Sequence, residues 1–347
     1  MQEECMGNIT MREIAKSLGI SVAAVSMALG NRQGVSEETR QKVMDEAERL
    51  GYSIKKSPPR KKICVINTDY WNLSHVDANQ MNFYSEMSHS LYHGIEHAAK
   101  AAGYDVEFRH GANKEQQDNT PNISADGILL LISGGNEARL EEYLSWGLPV
   151  LALGNGFPKS HVNTVAYDNS GAGRKAVEVL YNLGHRRIGY LQVNDFMYNY
   201  VERREGYYSG LREYGLEPAE QFVFGEREWN ASTDIYEKMS KWFSDTQPTA
   251  TAYISNNDLI AATAMRVFRE HGLKIGEDVS IIGFDDQFFA AVSDPPLATF
   301  KLKEAALGRI AAERLISVIE SPDDTCSHLF ICTEFIERES ICKIKTT

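Results

Sequence analysis

At 347 residues, with 43% hydrophobic and 24% charged residues, the chain has the composition of a globular protein. It has no apolar run long enough to cross a membrane. Its five cysteines (Cys5, Cys64, Cys326, Cys332 and Cys342) are scattered and without metal-ligand spacing, which sets aside a disulfide framework and leaves reduced thiols. The net charge of −12 would argue against nucleic acid if spread evenly, but residues 1–62 hold 11 Lys/Arg against 8 Asp/Glu, a balance of +3, and the remainder carries −15.

The opening Met1-Gln2-Glu3-Glu4-Cys5 lacks the positive start and apolar run of a secretory signal, so a cytoplasmic protein is expected. Two short helices about a glycine turn follow. Thr10 is a good N-cap, and Ile14, Ala15 and Leu18 form an apolar stripe. Gly19 suits the left-handed conformation that stops this helix, and Ser21 caps the next, whose stripe is Val22, Val25 and Leu29. A third helix, capped by Ser36, runs through Val43 to Leu50 and ends at Gly51. This is the helix-turn-helix plan for the major groove, with an ordinary three-helix lobe as the alternative. A basic stretch from Ser53 to Lys62 with adjacent Pro58 and Pro59 comes next. It reads as an arm touching phosphates or a narrow minor groove, or as a solvated linker.

From Lys62 onward short apolar runs alternate with helical patterns. Strands are expected at Ile63–Ile66, Val106–Phe108, Gly127–Ile132 and Pro149–Leu153, with a helix ending over Leu91–Ala102. A second series starts after Asp168-Asn169, where Asp168 reads as a helix cap. It comprises a helix through Leu183, strand Ile188–Leu191, helix Gly206–Tyr214, strand Phe222–Phe224 and helix Asp234–Phe243. Strand Ala250–Ile254, helix Leu259–His271 and strand Val279–Gly283 follow. Such alternation implies parallel sheets in two lobes, with a ligand at the strands' carboxyl ends between them.

Several motifs carry a resemblance. In the first fifty residues they are Ile9-Thr10, Glu13-Ile14-Ala15, Leu18-Gly19-Ile20-Ser21, Val25-Ser26, Val35-Ser36-Glu37-Glu38-Thr39-Arg40 and Leu50-Gly51-Tyr52. In the body they are Asp126-Gly127-Ile128, Leu183-Gly184-His185-Arg186-Arg187-Ile188, Asn257-Asp258, Gly276 to Asp286, and Pro295-Pro296-Leu297. By these the chain resembles the lactose/galactose-repressor (LacI/GalR) family over nearly its whole length. The implied fold is an N-terminal all-α helix-turn-helix headpiece followed by an α/β two-lobed core like that of periplasmic binding proteins. The resemblance divides the chain into headpiece 1–52, hinge linker 53–62, an N-terminal lobe of 63–165 plus 297–324, and a C-terminal lobe of 166–296 plus 325–347. The lobe crossings fall near 165, 296 and 325.

The implied activity is ligand-responsive transcription regulation, with repression the expected direction. A homodimer would bind operator DNA and, in the cleft, a small effector, with a sugar or sugar derivative the first choice. The alternatives are a purine or nucleoside, a corepressor protein, or a solute-binding protein without DNA. Matching the family's DNA contacts are Val22, Ala23 and Met27 for bases, with Thr10, Ser21, Ser26 and Asn31 on phosphates, and with Tyr52, Lys55 and Lys56 nearby. Matching its effector contacts are Arg203 (a rigid fork of donors), Asn257, Asp285 and the flat face of Trp229. Tyr70 and Trp71, just after the first strand, are further cleft candidates, with a core or surface role equally open.

The chain departs from the family in places. The hinge lacks the usual Pro-Asn start and leucine wedge, Lys61 standing about where the leucine would be, so minor-groove intercalation is not expected. Residues 67–90 are longer than usual, and 111–124 lack a full helix's apolar stripe. No leucine heptad precedes Thr347, so a coiled-coil tetramer is not expected. Enzyme chemistry has little support. Gly154-Asn155-Gly156 and Gly171-Ala172-Gly173 are not phosphate loops, no catalytic triad stands out by spacing, and no cofactor is implied. His89, His93 and His97 share a helix face without a carboxylate or cysteine pattern, which reads as a polar face rather than a metal site.

Overall fold

The computed structural model describes residues 9–29, 34–52, 61–68, 78–110, 123–132, 137–154, 157, 160–193, 198–224, 232–322 and 325–344, with backbone alone for 78–88, 110, 137–139, 193, 224 and 232–234. The chain divides into two compact units, residues 1–60 and 61–347.

In the first unit, α1 (Met11–Leu18), α2 (Val22–Leu29) and α3 (Glu37–Leu50) enclose a small core of Ile14, Ala15, Val25, Ala28, Val43 and Ala47. The buried residues of α2 and α3 are three and four apart, and in α1 Leu18 joins Ile14 and Ala15, so one face of each helix is apolar and the three faces meet. Gly19 adopts φ 65° and turns the chain between α1 and α2. Both the amide and the hydroxyl of Thr10 donate to the Glu13 carboxylate, at 2.6 and 3.0 Å. The Ser21 hydroxyl caps α2 by accepting from Ala24 N at 3.1 Å, and that of Ser36 caps α3 by accepting from Thr39 N at 3.2 Å. At the other end of α2, the Arg40 guanidinium donates to the carbonyls of Ala28 (3.0 Å) and Met27 (3.4 Å) and so closes two orphan acceptors of that helix.

The second unit has two lobes. In the first, β1 (Lys61–Asn67), β2 (Tyr104–His110), β3 (Gly127–Leu131), β4 (Val150–Gly154), β5 (Asn163–Tyr167) and β11 (His328–Ile331) form one parallel sheet in the order β11-β5-β4-β3-β1-β2. α4 (Ala78–Ala101) and α11 (Glu304–Glu320) cover one face over a core of Ile63, Val65, Leu129, Leu151 and Leu315, while Cys64, Ile66, Ile128, Leu130 and Ala152 face the other way toward α5 (Glu137–Leu144). β1, β3 and β4 are buried on both faces, and each therefore reads as a continuous apolar run.

In the second lobe β6 (Ile188–Val193), β7 (Gln221–Phe224), β8 (Ala252–Ser255) and β9 (Ser280–Ile282) are parallel in the order β7-β6-β8-β9. α6 (Asn169–Asn182) and α7 (Tyr198–Glu213) pack on one face, and α8 (Ser232–Thr246) and α9 (Asp258–Glu270) on the other. The short α10 (Phe288–Val292) follows β9, and β10 (Thr299–Lys301) pairs antiparallel with β12 (Glu334–Ile336).

Four sequence expectations need correcting. β11 pairs with β5 in the first sheet, so the chain returns to the second lobe after Ile331 and not near 325. The second crossing also comes later than 296, because Phe300 is buried in the second-lobe core with Phe284 and Ile282. Lys61 and Lys62 belong to β1, not to a linker: their ammonium groups pair with Glu320 (2.9 Å) and Glu107 (3.0 Å). Finally α7 starts two turns before Gly206; the sequence hides this start because a charged residue, Arg203, occupies a place in the buried stripe of Tyr200, Tyr207 and Leu211. Asp168 is the helix cap expected, its carboxylate accepting from Gly171 N at 2.8 Å.

Candidate effector cleft and nucleic-acid interface

The buried polar residues of the second unit concentrate where β5, β8 and β9 end. α6 and α7 come unusually close there. A Cβ on Gly206 would lie 2.1 Å from the Ser170 carbonyl oxygen, so only glycine allows the approach. That contact seats Arg203, 2% exposed, with its guanidinium pointing at the strand ends.

The Arg203 fork is largely engaged by the protein. Nε donates to Asn169 Oδ1 at 3.0 Å, and Nη1 donates to the Asn256 carbonyl. The Phe284 ring lies 4.5 Å from the guanidinium carbon. Nη2 points at Asp285 Oδ1, at 3.5 Å, longer than a good charge-assisted bond. Gln287 Nε2 stands equally far, 3.5 Å, from Asp285 Oδ2. Arg203 and Asp285 thus form a loosely held ion pair, each with hydrogen-bonding capacity to spare. Burial pushes the Asp285 carboxyl up to about 6, against the lowering effect of Arg203.

The turn that carries Asp285 is held in an uncommon conformation. Asp285 has φ 108° and Asp286 φ 54°, both in the region that favours glycine. Asp286 is clamped by Arg338 (Nη2–Oδ1 2.5 Å) and Lys301 (3.5 Å). Asp258, fully buried at the start of α9, accepts from Gln287 N at 2.8 Å and from the Thr299 hydroxyl at 2.6 Å. Burial holds the Asp258 carboxyl well above the usual range, with Asp285 adding to the effect. Asn257 is the N-cap of α9, accepting from Ile260 N (3.0 Å) while its amide donates to the Tyr200 hydroxyl (3.1 Å).

Of the six expected effector residues, Arg203, Asn257 and Asp285 come together; Tyr70, Trp71 and Trp229 lie outside the described residues. Sequence reasoning missed four neighbours. Asn169 links Arg203 to Glu202, donating to its carboxylate at 2.9 Å. Gln287 faces Asp285. Tyr167, at the end of β5, is buried beside Arg203 and Asp285, whose charges act on its hydroxyl. Glu304 begins α11, with its carboxyl raised chiefly by burial. Asn169 alone carried a signal, since it opens a helix directly after a strand.

In the headpiece, Val22 (42% exposed) and Ala23 lie open on α2. Met27 is half-buried, its sulfur 3.0 Å from where a Cβ on Gly34 would stand, so it leans on the α2–α3 connection. The Ser21 hydroxyl, while capping, keeps its hydrogen for an acceptor; the Thr10 hydroxyl is engaged by Glu13; Ser26 is half-buried. Tyr52 packs against the headpiece core. Asn31, Lys55 and Lys56 lie outside the described residues. Among the described residues no group of three or more metal-ligating side chains is placed to hold an ion, and no helix is long and apolar enough to cross a membrane.

A helix-turn-helix headpiece joined to a two-lobed α/β core with a polar, strand-end cleft defines a DNA-binding regulator of the ligand-responsive type. Residues 10–54 match the profile described as "Bacterial regulatory proteins, lacI family", and residues 177–341 that of a "Periplasmic binding protein-like domain". The HTH-type transcriptional repressor CytR of Escherichia coli (strain K12) is 31% identical over 326 residues, covering 90% of each chain. Among solved structures, a transcriptional regulator CelR–cellobiose complex is 25% identical, covers 96% of this chain and 100% of its own, and superposes with a TM-score of 0.66. The lac repressor dimer bound to operator and the anti-inducer ONPF, at 19% identity and 97% and 100% coverage, shares the fold with a TM-score of 0.67. The chain belongs to the lacI family of bacterial regulatory proteins.

Proposed function

We propose that the protein is a cytoplasmic homodimeric repressor, without enzymatic activity, that binds a roughly palindromic operator and answers to a small hydroxyl-bearing effector, a sugar or sugar derivative. One headpiece covers only a few base pairs, so useful specificity calls for two half-sites about a two-fold axis. The observation that carries the effector reading is the buried, loosely held Arg203–Asp285 ion pair, 3.5 Å between Nη2 and Oδ1, with Gln287 beside it. A hydroxyl that approaches such a pair from the side can accept from the guanidinium and donate to the carboxylate. A related regulator, CelR, is seen in complex with cellobiose. The exposed apolar Val22 and Ala23 suit thymine methyl groups and not a bidentate contact to guanine.

The test is a thermal-shift panel of sugars and nucleosides on the full chain, since a tight ligand raises the melting temperature by mass action. Calorimetry of Asp285→Ala with the best ligand follows. Loss of one charge-assisted pair costs about 1.5–3 kcal/mol of binding. Unchanged affinity in that variant would remove Asp285 from the site.

A further inference from the structure

A buried guanidinium points where its partners hold it, and one partner of Arg203 is an amide with a fixed orientation of its own. Asn169, 1% exposed, opens α6 just after the chain leaves β5. Its Nδ2 donates to Glu202 Oε2 at 2.9 Å and to the Tyr167 carbonyl at 3.3 Å. Both partners are acceptors, so the amide has one workable orientation, with its NH2 toward them and its oxygen toward Arg203. That oxygen accepts from Arg203 Nε at 3.0 Å. Turned over, the amide would set oxygen against two acceptors and NH2 against a guanidinium N–H. All three bonds would then go unmade in a place almost closed to water. Glu202 and Arg203 are consecutive on α7 and leave the helix in different directions, and Asn169 is bonded to both. With Nε on Asn169 and Nη1 on the Asn256 carbonyl, the plane of the guanidinium is set and Nη2 is turned to Asp285.

We infer that Glu202 and Asn169 are positioning residues for Arg203: Glu202 sets which way the Asn169 amide faces, and Asn169 in turn holds the guanidinium so that Nη2 is presented beside Asp285. The consequence for binding rests on the effector reading above; the positioning itself does not. The order of the relay is carboxylate accepting, amide donating and accepting, guanidinium donating. Glu202 acts in it as an acceptor and not as a charge, and this separates the relay from a long-range effect of the Glu202 charge on the cleft. A glutamine at 202 keeps an acceptor oxygen and loses the charge. A methionine keeps the length of the side chain and loses both. Glu202 also acts through Asn169, so its contribution vanishes once the amide is gone.

Two measurements on the full chain test this. In deuterated, ¹⁵N-labelled protein the Arg203 Nε–H signal, assigned by its loss in Arg203→Lys, reports through its exchange with water how firmly Nε is held. Titration calorimetry with ribose, glucose, cellobiose and cytidine reads the consequence for binding. In Glu202→Met the Nε proton is expected to exchange about three- to tenfold faster, and the tightest of the four compounds to bind weaker by a similar factor, the scale of one hydrogen bond. Glu202→Gln should recover most of what Glu202→Met loses. Asn169→Leu should show the larger loss, and adding Glu202→Met to it should change nothing further. An Nε proton as slow in Glu202→Met as in the wild type, or Glu202→Gln losing as much as Glu202→Met, overturns the inference, and neither needs the Asn169 variant to fold. Binding of none of the four compounds, in a chain whose Nε–H follows the expected pattern, removes the effector reading and leaves the positioning role standing.

Discussion

A Cβ on Gly173 would lie 2.2 Å from the carbonyl oxygen of Arg203, so the residue that permits α6 to touch α7 also fixes the backbone of the arginine in the cleft. Gly173→Ala has no conformational penalty of its own in a helix; its cost is the collision with backbone that has no rotamer to escape into. It is expected to destabilise the core unit by about 1–3 kcal/mol and to weaken effector binding as Arg203 is displaced. Urea unfolding with calorimetry reads both, and an unchanged midpoint would mean the two helices slide apart freely.

Asp285 sets a pH dependence whose sign can be worked out. Its carboxyl is raised to about 6 by burial, so the folded protein binds a proton there that the unfolded chain has already released. That contribution to stability is fully present below the ordinary carboxylate range and is lost as pH rises through about 6. Arg203 and Gln287 contact Asp285, and the charges of Glu304 and Asp258 also act on it. The stability difference between wild type and Asp285→Asn should therefore fall from pH 4 to pH 7 and be flat above. A neutral hydroxyl ligand should bind in the opposite sense, tighter as the acceptor ionises. A difference that is level across that window would show that Asp285 is ionised throughout.

Arg338 is expected to act on binding through the strained turn. By clamping Asp286 it helps hold Asp285 at φ 108°. Arg338→Gln should lower effector affinity about three- to tenfold, an effect on the scale of one hydrogen bond, with maximal binding stoichiometry unchanged. Arg338→Lys should restore part of it. Equal losses in the two variants would mean that the charge on Asp286 plays no part.

For DNA, exposed Val22 and Ala23 and a half-buried Met27 lead to a half-site relatively rich in A·T pairs, with little bending. Selection from a random pool checks this. A fixed G·C pair whose preference disappears in Met27→Ala would assign base reading to Met27 and contradict it.

Arg40 gives a control for the headpiece. Removing its bonds to the Met27 and Ala28 carbonyls in Arg40→Ala should cost about 1–2 kcal/mol and weaken operator binding without altering effector binding by the core. Loss of effector binding in that variant would point to a coupling that these bonds alone do not explain.

What local chemistry governs was legible in the sequence. The caps at Thr10, Ser21, Ser36 and Asp168, the turn at Gly19 and the apolar runs of β1, β3, β4, β6 and β8 each depend on residues within a few positions of one another. Arg203, Asn257 and Asp285 were named because motifs at matching spacing pointed to them. Only the tertiary structure decided that β11 leaves its sequence neighbours to pair with β5, since an edge strand's partner depends on which sheet has an open edge. It likewise decided that Lys61 and Lys62 lie in β1, paired with Glu320 and Glu107 at the surface. It also brought Asn169, Arg203 and Asp285 together, because their proximity arises where separate crossings of the chain meet.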